Sequence, residues 1–444
     1  MHQPLSDCVG KSRYIIPVCF VLMLLSSQVH AQFLMDMVDT TKIVGRGILG
    51  VYQKYDHLKI GGYIQPQFQV AQSEGIKSYE GGDFSQQVSN RFMLRRSRIR
   101  IDYVYFGINK TPGVQVVFQF DANERGFTVR DVWGRIFENN YKLSSFTIGM
   151  FARPFGYEIN YSSSDRESPE RGRMSQILMK GERDLGAMVS FEPRRDIGSL
   201  TNLKIDAGFF NGQGINATGD FDNIKDFIGR VSFKPTHLSR KVTLAMGAST
   251  FQGGLLQNTR YKYTTETVNG IKMNVVDSAS SNLFRTSPRK YWGADAQLRI
   301  KNRIGFTEFR AEFAFGQQTG TSASSETPTA LLTGKDGFYV REFNGAYFCF
   351  VQNLFSVRHQ IVVKYDWYDP NTMVMGMDIG APGSNLTSAD IKYSTLGFGY
   401  VNYLTDNVKL LVYYARVFNE HTRLNGYTGD LKDDVMTIRF QFRF

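Results

Sequence analysis

The chain has few of the residues on which disulfide-stabilised and metal-binding proteins depend. It contains three cysteines and six histidines among 444 residues. Only Cys349 follows residue 31, so no internal disulfide is expected after that point. The later histidines are scattered, and none stands at metal-ligand spacing from another. We therefore expect no cofactor and no metal cluster. With 12 prolines and 14% aromatic residues, the chain is also too ordered in composition for a disordered protein.

A long apolar run is found only near the N-terminus. Lys11 and Arg13 precede the apolar stretch "YIIPVCFVLMLLSS", and "VHA" at 29–31 has the small residues of a cleavage site. This pattern predicts a secretory signal peptide over 1–31. No later segment approaches the ~20 apolar residues that a membrane-spanning helix requires. The sequence therefore predicts an exported protein of the periplasm or the bacterial outer membrane.

From residue 58 onward, the chain is filled with segments of β-strand character. In "MTIRFQFRF" at 436–444, apolar residues alternate with Thr437, Arg439, Gln441 and Arg443. A period of two gives a strand one apolar and one polar face. Sixteen such strands are predicted, near 58–70, 91–105, 114–121, 129–138, 143–150, 183–193, 203–211, 225–234, 241–251, 288–301, 305–316, 337–351, 357–368, 390–403, 407–418 and 434–444.

The connections between these strands alternate in length. Odd-numbered connections are mostly long, and even-numbered ones are all short. The longest, the fifth external loop, covers 252–287. This asymmetry is typical of an up-and-down barrel with long external loops and short periplasmic turns. We therefore predict an all-β fold: a transmembrane antiparallel β-barrel of about 16 strands over 58–444, preceded by a periplasmic segment over 32–57.

Two features of the first two strands give specific expectations. Pro66 lies inside the first strand, where it removes a ladder donor, so a β-bulge is expected there or the strand ends near it. In "RFMLRRSRIRIDY" at 91–103, Arg96, Arg98 and Arg100 occupy alternate positions. An arginine facing lipid near the midplane costs about 2–4 kcal/mol, so this row must face the lumen of a barrel.

Two roles are open to an arginine row inside a barrel. In a narrow aqueous channel, fixed guanidinium groups concentrate anions and hold oxyanions through paired N–H donors. Alternatively, carboxylates neutralise the row, and the arginines then only brace a loop. The acidic residues that could do so are Asp102, Asp121, Asp131, Glu308 and Glu312.

Several stretches, in this order and spacing, resemble the phosphate-selective porin O and P family in its Bacteroidota form. They are "LRRSRIRID" at 94–102, "FQFDAN" at 118–123, "VRDVWG" at 129–134, "IGMFARPFGYE" at 148–158, "SPERG" at 168–172, "ERDLGAM" at 182–188, "FFNGQG" at 209–214 and "KYDWYDPNT" at 364–372. The resemblance covers essentially the whole predicted barrel. It implies a sixteen-stranded trimeric porin whose third external loop, here 151–182, folds into the lumen and narrows it.

The resemblance also implies which residues form the constriction. The matching positions are Arg95, Arg96, Asp131 and Arg171. Phosphate-selective members carry a lysine just after the "FG.E" stretch, whereas this chain has Ile159 and Asn160 after Glu158.

The predicted function is therefore passive diffusion of small solutes, in particular anions such as phosphate, through the outer membrane. The pore-lining residues would be Arg95, Arg96, Arg98, Arg100, Asp131 and Arg171. The expected partners are small anionic solutes, outer-membrane lipid and two further copies of the chain in a homotrimer. Catalysis and nucleic-acid binding are not expected, because no nucleophile lies beside a base and the basic residues are mixed with acidic ones. The alternative is a nearly closed barrel that acts as a surface adhesin or partner scaffold through its long external loops.

Overall fold

The computed structural model describes residues 57–107, 111–217, 219–332 and 336–444. The predicted signal peptide and, apart from His57, the predicted segment 32–57 lie outside these residues. In the described part of the chain, no helix has both the length and the hydropathy that a membrane crossing requires.

The described residues form eighteen strands and one short α-helix. The strands are β1 Leu58–Ala71, β2 Asn90–Phe106, β3 Pro112–Asn123, β4 Gly126–Phe137, β5 Ser144–Ala152, β6 Arg183–Phe191, β7 Leu203–Phe210, β8 Asp226–His237, β9 Val242–Leu256, β10 Lys262–Val268, β11 Ile271–Asp277, β12 Thr286–Asn302, β13 Gly305–Gly320, β14 Phe338–Leu354, β15 Ser356–Asp369, β16 Tyr393–Tyr403, β17 Val408–Asn419 and β18 Val435–Arg443. The helix α1 is Arg173–Leu178. Short 3₁₀ turns occur at Gly198–Leu200, Ser280–Asn282, Gly376–Asp378 and Ser388–Asp390.

Sixteen of these strands close into one antiparallel barrel. Each strand pairs with its neighbour in the chain, except that β9 pairs directly with β12. The barrel closes because β1 pairs with β18 on one edge and with β2 on the other. β10 and β11 form a hairpin outside this circuit, which touches the barrel where β10 runs parallel to the start of β14. The prediction of a sixteen-stranded antiparallel barrel is confirmed.

The side-chain arrangement is the reverse of that in a soluble protein. On β18, Arg439 and Gln441 point inward and are buried, whereas Phe440 and Phe442 are 39% and 42% exposed on the outside. Other strands repeat the pattern. On β13, Glu308, Arg310 and Glu312 are buried on the inside, whereas Phe309 and Phe313 are exposed on the outside. An outer face covered by large exposed apolar side chains is stable where the surrounding solvent is lipid. The apolar outer face therefore identifies a membrane-spanning barrel.

The connections follow the predicted alternation with two corrections. The short turns lie on the periplasmic side, and the long loops lie on the external side. The second external connection has only two residues, 124–125, and is shorter than the gap between the predicted strands 114–121 and 129–138. The reason is that β3 and β4 continue beyond those limits and form a tight hairpin. The fifth external loop covers 257–285 rather than 252–287, because β9 and β12 pair out to Leu256 and Thr286.

The third external loop, residues 153–182, turns into the barrel instead of outward. One side of it carries apolar residues, including Phe155, Ile159 and Leu178, which pack against Phe251 and Tyr291 of the wall. Its charged residues face the opposite wall and the strands that flank it. Burial of this apolar side, worth about 1.5–3 kcal/mol for each large side chain, holds the loop in the lumen.

Candidate functional site

A β-bulge in the first strand pair determines which arginines face the lumen. Gln65 pairs with Arg96, but the next residue, Pro66, pairs with Leu94, so Arg95 is an extra residue in β2. The predicted bulge at Pro66 is confirmed. Because the bulge shifts the alternation by one, both Arg95 and Arg96 point inward. Two adjacent arginines, which a regular strand would place on opposite faces, therefore reach the same site.

A second bulge does the same in β4. Asp131 pairs with Gln119 of β3, and Val129 pairs with Phe120, so Arg130 is the extra residue. Arg130 and Asp131 therefore both turn toward the lumen. Sequence analysis identified Asp131 but not Arg130, because regular alternation assigns the two residues to opposite faces.

The arginines of the first bulge meet a carboxylate from the third loop. Glu170 lies 2.8 Å from Nε of Arg95, 2.7 Å from Nη2 of Arg96 and 3.0 Å from Nη2 of Arg439 on β18. Its side chain is 3% exposed. Burial alone would raise the pKa of the Glu170 carboxyl, but the three guanidinium groups hold that pKa well below its usual value. One carboxylate is thus shared by three arginines.

Glu182, at the end of the third loop, is a second shared carboxylate. It forms ion pairs with Arg130 and Arg171, and its Oε2 lies 2.5 Å from Nη1 of Arg183. Arg183 also contacts Asp131, with both nitrogen–oxygen distances 3.3 Å. Burial raises the pKa of the Glu182 carboxyl, but the nearby arginines outweigh it and hold the pKa well below the usual value.

The other two arginines of the predicted row have one carboxylate each. Arg98 donates to Asp121 at 2.9 Å and also to the hydroxyls of Tyr63 and Ser163. Arg100 pairs with Asp102 at 2.7 Å, lies 5.9 Å from the ring centre of Trp133, and has a side chain that is 39% exposed. Arg98 is therefore fixed against the third loop, whereas Arg100 faces open space below it.

Arg171 stabilises the conformation of the third loop. Besides Glu182, its guanidinium donates to the backbone carbonyls of Glu158, Ile159 and Tyr161. These bonds fold the third loop back on itself. Arg171 therefore shapes the loop in addition to contributing charge to the lumen.

The two residues at the expected lysine position contribute no charge. Ile159 is 2% exposed within the apolar side of the third loop. Asn160 donates to the carbonyls of Arg153 and Gly156. A lysine nevertheless reaches this part of the loop from the wall, because Nζ of Lys364 on β15 lies 2.5 Å from the carboxylate of Glu158.

Further ionic contacts fix the third loop to the far wall. Arg310 on β13 makes two 2.7 Å contacts to Glu167, and Lys409 on β17 donates to the carbonyl of Ser164 at 2.6 Å. Glu312 accepts from the backbone N–H groups of Tyr157 and Glu158. The loop is thus attached around most of the barrel circumference.

Of the five carboxylates considered from sequence as partners of the arginine row, two contact it, Asp121 at Arg98 and Asp102 at Arg100. Asp131 pairs with Arg183, which is not part of the row. The other two lie elsewhere, because Glu308 pairs with Arg299 and Arg310 and Glu312 holds the loop backbone. Sequence analysis missed the two most heavily shared carboxylates, Glu170 and Glu182. Each directly precedes an arginine in a motif quoted above, which was the only local signal available.

These contacts define an arginine cluster with excess positive charge. Its eight arginines are Arg95, Arg96, Arg98, Arg100, Arg130, Arg171, Arg183 and Arg439. The five carboxylates paired with them are Asp102, Asp121, Asp131, Glu170 and Glu182. Because carboxylates are shared, the cluster carries three more positive than negative charges. The arginines therefore brace the third loop and still outnumber the carboxylates paired with them.

Two cavities meet at this cluster. The external-side cavity, of about 250 Å³, is lined by residues that include Arg95, Arg96 and Arg130. The periplasmic-side cavity, of about 490 Å³, is lined by six basic side chains and a single carboxylate, Asp102. Arg98 and Arg171 line both cavities. These two arginines therefore mark the boundary between the external and periplasmic parts of the lumen.

The depressed pKa of Glu182 gives a testable pH dependence. A carboxyl whose pKa is lower in the folded state adds stability above its unfolded pKa, and that stability is lost as pH falls through the folded value. We expect Glu182→Gln, which mimics the protonated form, to lower the free energy of unfolding by about 3–5 kcal/mol at pH 7. The difference from the unmodified protein should persist to pH 5 and close only below about pH 4. Denaturant titrations at each pH measure it, and a difference that closes at pH 6 would contradict the assignment.

Comparisons with known proteins support the fold. No family model matches the chain, and no curated protein sequence matches it. Among solved structures, OprB of Pseudomonas putida covers 90% of this chain and 97% of its own, with a TM-score of 0.55 at 9% identity. The outer membrane channel DcaP of Acinetobacter baumannii covers 87% and 97%, with a TM-score of 0.51 at 10% identity. OmpT, an outer membrane protein of Vibrio cholerae solved in a trimer form, covers 87% and 99%, with a TM-score of 0.50 at 9% identity. The chain is thus an outer-membrane β-barrel with a porin-like fold.

Proposed function

We propose that this protein is a passive outer-membrane porin that favours small anions. The observation that carries the proposal is the arginine cluster, in which eight arginines share five carboxylates at the junction of the two cavities. In a narrow lumen with low-dielectric walls, uncompensated positive charge raises the local anion concentration and repels cations. Similarity to DcaP, which is described as a channel, favours the same function.

The geometry also favours transit over tight binding. Every arginine of the cluster already has a carboxylate partner, so a passing anion competes for guanidinium N–H groups that are partly occupied. Conduction requires attraction that is weak or divided among several sites, because a single tight site would block the flow. A row of shared ion pairs meets this requirement.

Several finer assignments belong to the same proposal. We propose membership of the phosphate-selective porin O and P family, cleavage after residue 31, a periplasmic segment over 32–57 and the third loop, within 151–182, as the constriction. The pore-lining residues are Arg95, Arg96, Arg98, Arg100, Asp131 and Arg171. We propose a homotrimer in outer-membrane lipid, in line with the trimer form in which OmpT was solved.

Phosphate preference can be separated from general anion preference by a block experiment. Chloride current through single channels is measured while phosphate is added on the external side. If phosphate binds the arginine cluster with a dissociation constant of about 1 mM, weak enough to permit exit, the chloride current should fall by half near that concentration. An equal concentration of gluconate serves as the control for ionic strength. A chloride current that phosphate leaves unchanged would limit the proposal to anions in general.

The adhesin alternative receives less support from the external loops. In the fifth loop, the β10–β11 hairpin folds onto the protein's own surface, where Tyr263 stacks on Tyr339 at 4.3 Å and Asn274 bonds to Asn385. These contacts occupy backbone and ring surfaces of the hairpin. Absence of any channel conductance in a folded, reconstituted protein would nevertheless favour the adhesin and contradict the porin.

A further inference from the structure

The outer face of β12–β15 carries an apolar dent of about 310 Å³. It is lined by Ala296 on β12 and Ala311 on β13, which are paired in register, so two small side chains lie side by side. The side chains around them are larger and include Leu298, Phe309, Phe348, Phe350 and Tyr365. Phe309, Phe348 and Tyr365 are exposed on the outside of the barrel. The dent therefore opens toward the acyl chains of the membrane.

The dent lies at the depth of the periplasmic leaflet. The periplasmic turn 303–304 joins β12 to β13, and Arg303 of this turn follows Leu298 of the dent by five residues. A strand rises about 3.4 Å per residue and tilts by about 45°, so the two residues are separated by about 12 Å along the membrane normal. One leaflet contributes about 15 Å of the hydrocarbon core. An acyl chain whose headgroup lies at the turn can therefore reach the dent.

Four exposed basic residues lie at the periplasmic end of these strands. Arg240 and Lys241 belong to the turn between β8 and β9, whereas Lys301 ends β12 and Arg303 lies in the turn that follows. The two turns are neighbours, because the backbone N–H of Lys301 donates to the carbonyl of Lys241 at 2.7 Å. Among the residues that the structure describes, no carboxylate forms an ion pair with any of these four side chains. Their positive charge is therefore available to an anion.

The same two turns also expose large apolar side chains. Leu238 is 62% exposed and Ile304 is 41% exposed. Apolar and basic side chains occur together where a protein lies at the boundary between acyl chains and anionic headgroups. The turns therefore have the composition of a surface that contacts lipid headgroups.

We propose that this face binds an anionic phospholipid of the periplasmic leaflet, with an acyl chain in the dent and the phosphate at Arg240, Lys241, Lys301 and Arg303. Arginine and lysine side chains bind phosphate oxygens through charge-assisted hydrogen bonds. Hydrocarbon in the dent and an anion at the turns are both required, and one phospholipid molecule supplies both. The site lies outside the lumen, so it does not depend on the proposed porin function.

Phosphatidylglycerol and phosphatidylcholine with the same acyl chains are the probes, because they differ in net charge. Equal amounts of the two lipids are added to the protein in detergent, and retained lipid is counted by native mass spectrometry. We expect about tenfold more phosphatidylglycerol than phosphatidylcholine. The quadruple variant Arg240→Gln, Lys241→Gln, Lys301→Gln, Arg303→Gln should lose this preference. Its charge-matched control replaces four exposed residues of the external loops by glutamine and should keep the preference; these residues are Lys77, Arg260, Arg285 and Arg423.

A second pair of variants tests the dent without changing charge. Ala296→Leu, Ala311→Leu fills the dent and should reduce retained phosphatidylglycerol by about fivefold or more, because the acyl chain loses its contact area. The matched control is Ala248→Leu, Ala294→Leu, since this alanine pair is also in register on the outer face but does not line the dent. It should retain phosphatidylglycerol as the unmodified protein does.

Unchanged circular dichroism and heat-induced gel mobility show that each variant is folded. Equal retention of the two lipids by the unmodified protein would overturn the proposal, as would a test variant that behaves like its control. Retention of neither lipid, the result expected if a second copy of the chain covers this face, would overturn it as well.

Discussion

Replacement of Glu170 by glutamine is expected to lower the free energy of unfolding by about 3–5 kcal/mol. The physical reason is that Glu170 is buried and serves three guanidinium groups, those of Arg95, Arg96 and Arg439. Glutamine keeps the size of the side chain but leaves three buried positive charges without their counter-charge. Denaturant titration followed by tryptophan fluorescence measures the loss.

The same substitution should also change the current through the channel. Because Glu170 attaches the third loop to β2 and β18, its loss should increase current noise as the loop moves. It should also strengthen anion preference, since the excess positive charge of the cluster rises by one. These two effects distinguish a lost ion-pair centre from general misfolding, which would abolish the current.

The control for this variant is a more exposed ion pair between the third and sixth external loops. Glu326 pairs with Lys180 at 2.6 Å, but the lysine side chain is 47% exposed. Exposed pairs contribute about 0–1 kcal/mol, so Glu326→Gln should change stability by no more than that. Equal losses for Glu170→Gln and Glu326→Gln would contradict the central role of Glu170.

The triple variant Arg96→Gln, Arg98→Gln, Arg100→Gln should nearly abolish ion selectivity. It leaves five arginines facing the same five carboxylates, so the cluster becomes neutral. The ratio of chloride to potassium permeability should then fall toward 1, because the cluster no longer carries excess positive charge. The zero-current potential in a potassium chloride gradient measures this ratio.

A charge-matched control separates local from global electrostatics. Arg195, Arg240 and Arg303 lie exposed in periplasmic turns, outside the lumen. Their replacement by glutamine removes the same net charge, but it should leave the permeability ratio essentially unchanged, since salt screens charges beyond about 8–10 Å. If both triple variants behave alike, the arginine cluster does not set selectivity.

The barrel could be predicted from the sequence because each strand carries its own alternation of apolar and polar residues. Every predicted strand overlaps a barrel strand, as in β13, predicted over 305–316 and observed as Gly305–Gly320. Lipid outside and water or polar groups inside impose a period of two on each strand. The observed strands often extend beyond the predicted ones on the external side. Beyond the lipid, the outward-facing residues of a strand need not be apolar. The alternation that predicts a strand is therefore weaker in these extensions.

The β10–β11 hairpin was missed although its signal was present. Asn269 and Gly270 join the two strands with φ values of 51° and 79°. An Asn-Gly pair between strand-forming residues is a strong hairpin signal, because these two residues adopt positive φ at little cost. The stretch was predicted only as part of the fifth external loop, and the hairpin lies outside the sixteen barrel strands.

The arginine cluster could be predicted only in part. Alternation correctly placed Arg96, Arg98 and Arg100 in the lumen, and the family resemblance added Arg95 and Arg171. Their partner Glu170 could not be inferred, because the contacts join residues 74 or more positions apart through an inward-folded loop. No proline marks the second bulge in the sequence, so the inward position of Arg130 was not predicted. The excess positive charge of the cluster therefore depends on contacts made by the inward-folded third loop, which the sequence alone does not reveal.

The zero-current potential of the unmodified protein tests the central claim most directly. The protein is reconstituted in a planar bilayer of neutral lipid between two potassium chloride solutions of different concentration. Because the cluster carries more positive than negative charges, the potential should have the sign of chloride preference and shrink toward zero at high salt. A potential of the sign of potassium preference, or a folded protein that forms no channel, would contradict the account.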